Sequence, residues 1–145
     1  MSDETYVPSD PELRSILGDA HTIAVVGLSS NPLRDSHEIA AFLQSKGYRI
    51  VPVNPKETEV LGERAYPTLA DIPKDIDIDV VDVFRRAEYT PEIAEAAVAR
   101  GAKVLWLQEG ILNDEARQIG EAGGLSVVMG VCMRQETRRL EGEST

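Results

Sequence analysis

The chain has 145 residues, 42% of them hydrophobic and 28% charged, a composition typical of one globular domain. The net charge of −10 argues against nonspecific binding to nucleic acid or to an anionic membrane. A single cysteine excludes a disulfide within the chain. The two histidines lie far apart in the sequence, so no metal site is expected. No apolar run reaches membrane-spanning length and the acidic start is unlike a signal peptide, so we expect a cytoplasmic protein.

The first third of the chain predicts an arm, two helices and two strands. Residues 1–9 are expected to form a disordered or loosely docked, flexible arm. Capping residues and apolar periodicity then mark the following elements. They are a helix from an Asp10 N-cap to a stop at Gly18, a strand over 23–26, a helix over 37–46 that Ser36 caps, and a strand over 49–53.

The rest of the chain continues this alternation after an irregular stretch rich in proline and glycine. Residues 54–75 hold a short strand near 64–66 and one helical turn at 69–71. The later elements are a strand over 79–84, a helix that Thr90 caps and Gly101 ends, a strand over 103–107, a helix from the Asn113 cap through Ala122, and a strand over 125–129. Residues 141–145 are expected to be a flexible tail.

Strands that alternate with helices at these spacings indicate a parallel sheet with right-handed crossovers. The sequence therefore predicts an α/β fold, a Rossmann-like doubly wound parallel sheet of about five strands with helices on both faces, in a single domain. Ligands of such sheets bind at the carboxyl ends of the strands, beside the switch point. The loops at 27–34, 54–56 and 84–86 are expected to meet there.

The loop after the first strand carries the clearest functional pattern. Gly27 ends the strand, small polar residues follow, and a helix begins near Ser36, an arrangement that binds phosphate. Only Gly27 fits the dinucleotide fingerprint, since Ser29 stands where a second glycine is needed. The second strand ends in Asn54-Pro55-Lys56 and not in the acidic residue that binds an NAD ribose. A phosphate-rich ligand other than NAD is favoured.

Several stretches at these strands and loops resemble the small stand-alone coenzyme A-binding proteins, which are related to the CoA-binding domain of the succinyl-CoA synthetase α subunit. The resemblance covers residues from about 10 to about 135. The matching stretches are Ala24-Val-Val-Gly-Leu-Ser-Ser-Asn-Pro-Leu-Arg-Asp-Ser36, Gly47-Tyr-Arg-Ile-Val-Pro-Val-Asn-Pro55, Val80-Val-Asp-Val-Phe-Arg85 and Val104-Leu-Trp-Leu-Gln-Glu-Gly-Ile111.

The resemblance implies a Rossmann-like domain over 10–140 that binds coenzyme A or an acyl-CoA. The family's CoA loop corresponds to Gly27, Ser29, Ser30, Asn31 and Arg34, its second-strand end to Val53, Asn54, Pro55 and Lys56, and its pocket wall to Phe84 and Arg85. The diphosphate and 3′-phosphate of CoA need amides and cations, and Arg34, Lys56 and Arg85 supply cations in an acidic chain. Lys56 and Arg86 can equally be surface charges.

Three functions follow as hypotheses. The first is a CoA-binding carrier, sensor or regulator without chemistry of its own, with a protein partner or a homo-oligomer left open. The second is a CoA-dependent enzyme or subunit that needs a partner, and the third an NAD(P)-binding oxidoreductase fragment. No base or nucleophile accompanies Gln108 and Glu109, so no catalytic residue is assigned.

Other side chains have competing interpretations. Trp106 is expected in the core, His37 neutral and exposed, and the aspartates from Asp71 to Asp82 on solvated faces. Cys132 is either a small core residue or, next to a bound thiol ligand, a partner for a mixed disulfide. The family commonly has Asp-Arg-Cys and a nearby histidine after the last strand, whereas this chain has Gly130-Val131-Cys132 and no histidine there.

Overall fold

The computed structural model describes residues 4–143, and over this range the chain forms a sheet between two groups of helices. The helices are α1 (Asp10–Asp19), α2 (Asp35–Ser45), α3 (Thr90–Ala99), α4 (Asp114–Ala122) and α5 (Met133–Glu143). The strands are β1 (Thr22–Val26), β2 (Arg49–Val53), β3 (Glu59–Val60), β4 (Glu63–Arg64), β5 (Val80–Val83), β6 (Val104–Leu107) and β7 (Ser126–Met129).

Five strands form one parallel sheet in the order β2-β1-β5-β6-β7. The chain leaves β1 toward β2 on one side and returns to β5 on the other, so the switch point lies between β1 and β5. β3 and β4 make a separate antiparallel hairpin in the segment that the sequence predicts as irregular. The predicted single-domain, doubly wound Rossmann-like α/β fold is confirmed.

Alternate residues of each strand fill two separate cores, as the two-residue repeat of a strand requires. On one face α1, α2 and α5 cover Ile23 and Val25 of β1 and Trp106 of β6. On the other face α3, α4 and the 3-10 turn at Leu69–Asp71 cover Ala24 and Val26. Both faces of the strands are buried, which explains why their sequences read as continuous apolar runs.

The cap of α4 is confirmed and that of α1 is corrected. Asn113 accepts a hydrogen bond from the Ala116 N–H at 2.9 Å, as the sequence predicts. Ser9 caps α1 where Asp10 was expected, since its hydroxyl accepts from Glu12 N, and Asp10 becomes the first helical residue. Gly18 does not end this helix, because it continues to Asp19.

Two further predicted caps are wrong because the hydroxyl groups have other partners. Ser36 lies inside α2, which begins at Asp35 after Arg34, and its hydroxyl accepts from the Ser29 N–H at 3.1 Å. Thr90 is the first residue of α3 and donates its hydroxyl to the Ala87 carbonyl at 2.6 Å. Both hydroxyls therefore fix the loop before the helix and not the helix terminus.

Parts of the predicted arm and tail contact the rest of the chain where the structure describes them. Tyr6, in the predicted arm, pairs with Met129 through two backbone hydrogen bonds of 2.9 and 2.8 Å at the edge of the sheet. α5 has no counterpart among the predicted elements, and it runs past the predicted domain end at 140, with Lys46 paired to Glu141 at 2.6 Å. Residues 1–3, 144 and 145 of the predicted arm and tail lie outside the described range.

No helix within residues 4–143 is long and apolar enough to cross a membrane. The cytoplasmic location stays a prediction.

Candidate functional site

The loops after β1, β2 and β5 line one cleft of about 850 Å³ at the carboxyl edge of the sheet. Its lining residues are Gly27, Ser29, Leu33, Arg34, Asp35, Ser36, Asn54, Pro55, Lys56, Glu57, Phe84, Arg85 and Arg86. The structure thus brings together most of the residues singled out from the sequence. Ser30, Asn31 and Val53 do not line the cleft, whereas Leu33, Asp35 and Glu57 line it without having been singled out.

Gly27 is needed by the packing of the strand ends. Its φ of +90° lies in the left-handed region, and its N–H donates to the Val53 carbonyl at 2.8 Å. A Cβ at this position would lie 2.6 Å from the carbonyl oxygen of Phe84. The glycine therefore allows the end of β1 to approach the residue that follows β5, and this approach forms the floor of the cleft.

The polar residues of the β1–α2 loop hold the loop in shape. The Ser29 hydroxyl accepts from Asn31 N, and the Asn31 side chain accepts from Leu33 N, each at 3.0 Å. His37 Nδ1 lies 2.9 Å from the Ser29 carbonyl, which can only accept, so Nδ1 carries the proton. The expectation of a simply exposed His37 is therefore wrong, because the ring is half-buried and braces the loop.

The first turn of α2 offers amides to a ligand. His37 N and Glu38 N donate to the Arg34 carbonyl, but within residues 4–143 no hydrogen bond engages the N–H of Asp35 or Ser36. Both residues line the cleft. An 11-residue helix that begins here also places the positive end of its dipole at the cleft, which favours an anion.

Asn54 explains why the second strand has no acidic end. Its Nδ2 donates to the Leu28 carbonyl at 3.0 Å, and its Oδ1 accepts from Lys56 N at 3.0 Å. Since the bond to Leu28 needs a donor, an ionised aspartate would place a carboxylate against a carbonyl. The Asn54 side chain thus joins two loops of the cleft. At the position where NAD proteins have a ribose-binding acid, this chain has a residue that holds the loops together.

Cations outnumber anions in the cleft, with Arg34, Lys56, Arg85 and Arg86 against Asp35 and Glu57. Arg85 stacks over the ring of Tyr89 at 4.8 Å, and Arg86 approaches Glu88 at 3.7 Å. The side chains of Arg34 and Lys56 make no ion pair with any residue of the described range. A local excess of positive charge in a chain of net charge −10 fits a polyanionic ligand.

Two aspartates predicted on solvated faces are buried. Asp82 of β5 is fully buried, and its Oδ1 accepts from Gln108 Nε2 at 2.5 Å. Burial raises the pKa of Asp82 to about 7, although the bond from Gln108 opposes the shift. Burial also acts to raise the pKa of Asp79, but amide bonds from Thr22 and His21 bring it below its usual range. Neither aspartate lines the cleft.

Trp106 and Cys132 lie in the core. Trp106 is fully buried, as predicted, and donates its Nε1–H to the Val131 carbonyl at 2.8 Å. Cys132 is 5% exposed and packs in the same apolar cluster, which favours the core interpretation over the mixed disulfide. Within residues 4–143 no group of three or more histidine, cysteine or carboxylate side chains could hold a metal ion.

Similar proteins include chains of comparable length and much longer ones. The chain is 43% identical over 127 residues, 88% of its length and 93% of the other, to the uncharacterized protein YneT of Bacillus subtilis. A solved structure of a hypothetical protein from Pyrococcus horikoshii superposes with a TM-score of 0.89 and 40% identity, over 97% of this chain and 100% of that one.

A longer relative is the ADP-forming acetate–CoA ligase II of Archaeoglobus fulgidus, 30% identical over 95 residues. That match covers 64% of this chain but 14% of the ligase. The sequence model described as CoA binding domain matches residues 21–138. The chain therefore belongs to the CoA binding domain family.

Proposed function

We propose that the protein binds coenzyme A or an acyl-CoA in the cleft at the carboxyl edge of the sheet, as a carrier, sensor or regulator without chemistry of its own. The observation that carries the proposal is that one cleft is lined by four cations and by Asp35 and Ser36, whose N–H groups no hydrogen bond engages within residues 4–143. The diphosphate and the 3′-phosphate of CoA are the groups that this arrangement would hold.

The volume of the cleft and its lining support a ligand of this size. A space of about 850 Å³ falls within the range of small-molecule sites, and Leu33, Pro55 and Phe84 add apolar surface to the cations. Membership of a family described by CoA binding agrees with this ligand. An NAD(P) ligand is less suited, because Asn54 is committed to the Leu28 carbonyl and cannot act as the ribose-binding acid.

The cleft favours binding over catalysis. Of its two carboxylates, Glu57 accepts from the Ser30 N–H and Asp35 lies at the start of α2. No histidine or cysteine of the described range lines the cleft. The relation to acetate–CoA ligase II supports a second candidate, a CoA-binding subunit that acts with a partner, since the matched segment is 14% of that ligase.

Calorimetric titration of the purified protein with CoA, dephospho-CoA, NAD and NADP tests the proposal. We expect CoA to bind most tightly and dephospho-CoA more weakly, because it lacks the 3′-phosphate. Native mass spectrometry should detect a CoA-sized adduct that a short dialysis at high salt reduces. Binding of NAD as tight as that of CoA would reject the proposed ligand.

A further inference from the structure

Glu57 places a carboxylate against Ser30 of the loop after β1, the loop expected from the sequence to bind CoA. It follows Lys56 in the loop after β2 and lines the cleft, and its Oε2 accepts from the Ser30 N–H at 2.8 Å. This hydrogen bond from Ser30 lowers the pKa of Glu57, so the side chain is ionised at neutral pH. Within the described range Glu57 forms no ion pair with the cations of the cleft.

The bond from Ser30 to Glu57 has the chemistry of an anion held by a loop amide. A carboxylate oxygen and a phosphate oxygen accept from a backbone N–H in the same way, and both are charged. We propose that Glu57 occupies a phosphate position in the free protein and must leave the Ser30 N–H when a phosphate of the ligand binds. Glu57 is then a residue that sets affinity by competition, an inference that rests on the proposed function.

The alternative role, that Glu57 is a brace without which the loop loses its shape, is less consistent with the other bonds of the loop. Ser29 N donates to the Ser36 hydroxyl, and Asn31 links Ser29 to Leu33 inside the loop. The link from Asn54 to Leu28 already ties this loop to the one after β2. The loop therefore keeps its internal bonds and its connection when the Glu57 side chain moves away.

The two roles predict opposite signs for Glu57→Ala, and for Glu57→Gln a gain in affinity against no change. A glutamine keeps an oxygen that accepts from Ser30 N–H but removes the charge that would oppose a phosphate. We expect the variant to bind CoA more tightly than the unchanged protein, on the order of threefold to tenfold at low ionic strength, with a smaller gain at high salt. Glu57→Ala should also bind more tightly, whereas loss of a brace would weaken binding.

Glu59→Gln is the matched control, because it makes the same change of charge two residues away, at an exposed residue of β3 outside the cleft. Its CoA affinity should stay within about twofold of the unchanged protein. Equal or weaker binding of CoA by Glu57→Gln, measured by calorimetry, would overturn the inference while leaving the proposed function intact. Failure of the unchanged protein and of both Glu57 variants to bind CoA would instead reject the proposed function, and the inference with it.

Discussion

At the scale of single residues, the cations of the cleft differ in the contacts that already hold them. Arg85 stacks on Tyr89, and Arg86 is near both Tyr89 and Glu88, so part of their role is to shape the loop after β5. Arg34 is exposed and makes no ion pair within residues 4–143. Its charge is therefore free to interact with a ligand.

Substitution of Arg34 by alanine is expected to weaken CoA binding without altering the fold. Loss of a charge-assisted hydrogen bond to phosphate costs about 1.5–3 kcal/mol, roughly tenfold to a hundredfold in Kd. Thermal unfolding should shift little, because the Arg34 side chain is exposed. Arg49→Ala, an exposed arginine at the opposite, amino end of β2, serves as the control and should keep its affinity. An unchanged Kd for Arg34→Ala would show that Arg34 is ordinary surface charge.

At the scale of elements, the junction between the ends of β1 and β5 requires a residue without a side chain at position 27. Gly27→Ala would place a methyl group 2.6 Å from the Phe84 carbonyl at a residue with φ of +90°. Strain and overpacking together should lower the free energy of unfolding by about 2–4 kcal/mol in urea denaturation.

Gly18→Ala makes the same chemical change but is expected to raise the free energy of unfolding. Gly18 lies within α1, and an added Cβ there meets nothing within 4 Å. Alanine should therefore stabilise the protein by about 0.5–1 kcal/mol through helix propensity.

If Gly27→Ala were as stable as the unchanged protein, the close approach between β1 and the residue after β5 would not be a requirement of the fold.

The elements differ in how much of them the sequence could predict. The sequence predicts β2 with its observed ends, because an apolar run between a glycine and an Asn-Pro pair has few alternatives. α5 was missed because its 11 residues bury only a few side chains, at Met133, Thr137 and Leu140. The caps at Ser36 and Thr90 failed because both hydroxyls bond to distant or preceding loop atoms, which a local pattern does not contain.

At the scale of the whole molecule, sheet topology accounts for what the sequence could say about the site. Parallel strands end at the same edge, so three loops far apart in sequence could be assigned to one cleft before any contact was known. Topology alone does not predict that Glu57 lines the cleft or that Asp82 is buried. Each depends on a distant partner: Ser30 is 27 residues from Glu57 along the chain, and Gln108 is 26 residues from Asp82.

The buried pair of Asp82 and Gln108 is expected to make global stability depend on pH. Asp82 Oδ2 and Gln108 Oε1 have no hydrogen-bond partner among residues 4–143. A protonated Asp82 could donate to Gln108 Oε1, which an ionised Asp82 cannot do. Burial raises the pKa of Asp82 from 3.8 to about 7, so between these values the folded protein binds a proton that the unfolded chain releases. The contribution of Asp82 to stability is full below about pH 4 and declines by about 1.4 kcal/mol per pH unit as the pH rises to 7.

Asp82→Asn isolates this contribution from those of other carboxylates, such as Asp79, whose lowered pKa acts in the opposite direction. The asparagine amide cannot ionise, can donate to Gln108 Oε1 and can still accept from Gln108 Nε2. Urea denaturation from pH 4 to pH 8 should therefore show the variant gaining stability relative to the unchanged protein as the pH rises. The difference at pH 8 should exceed that at pH 4 by roughly 4 kcal/mol. Stability curves that stay parallel over this range would mean that Asp82 titrates at its ordinary pKa despite its burial.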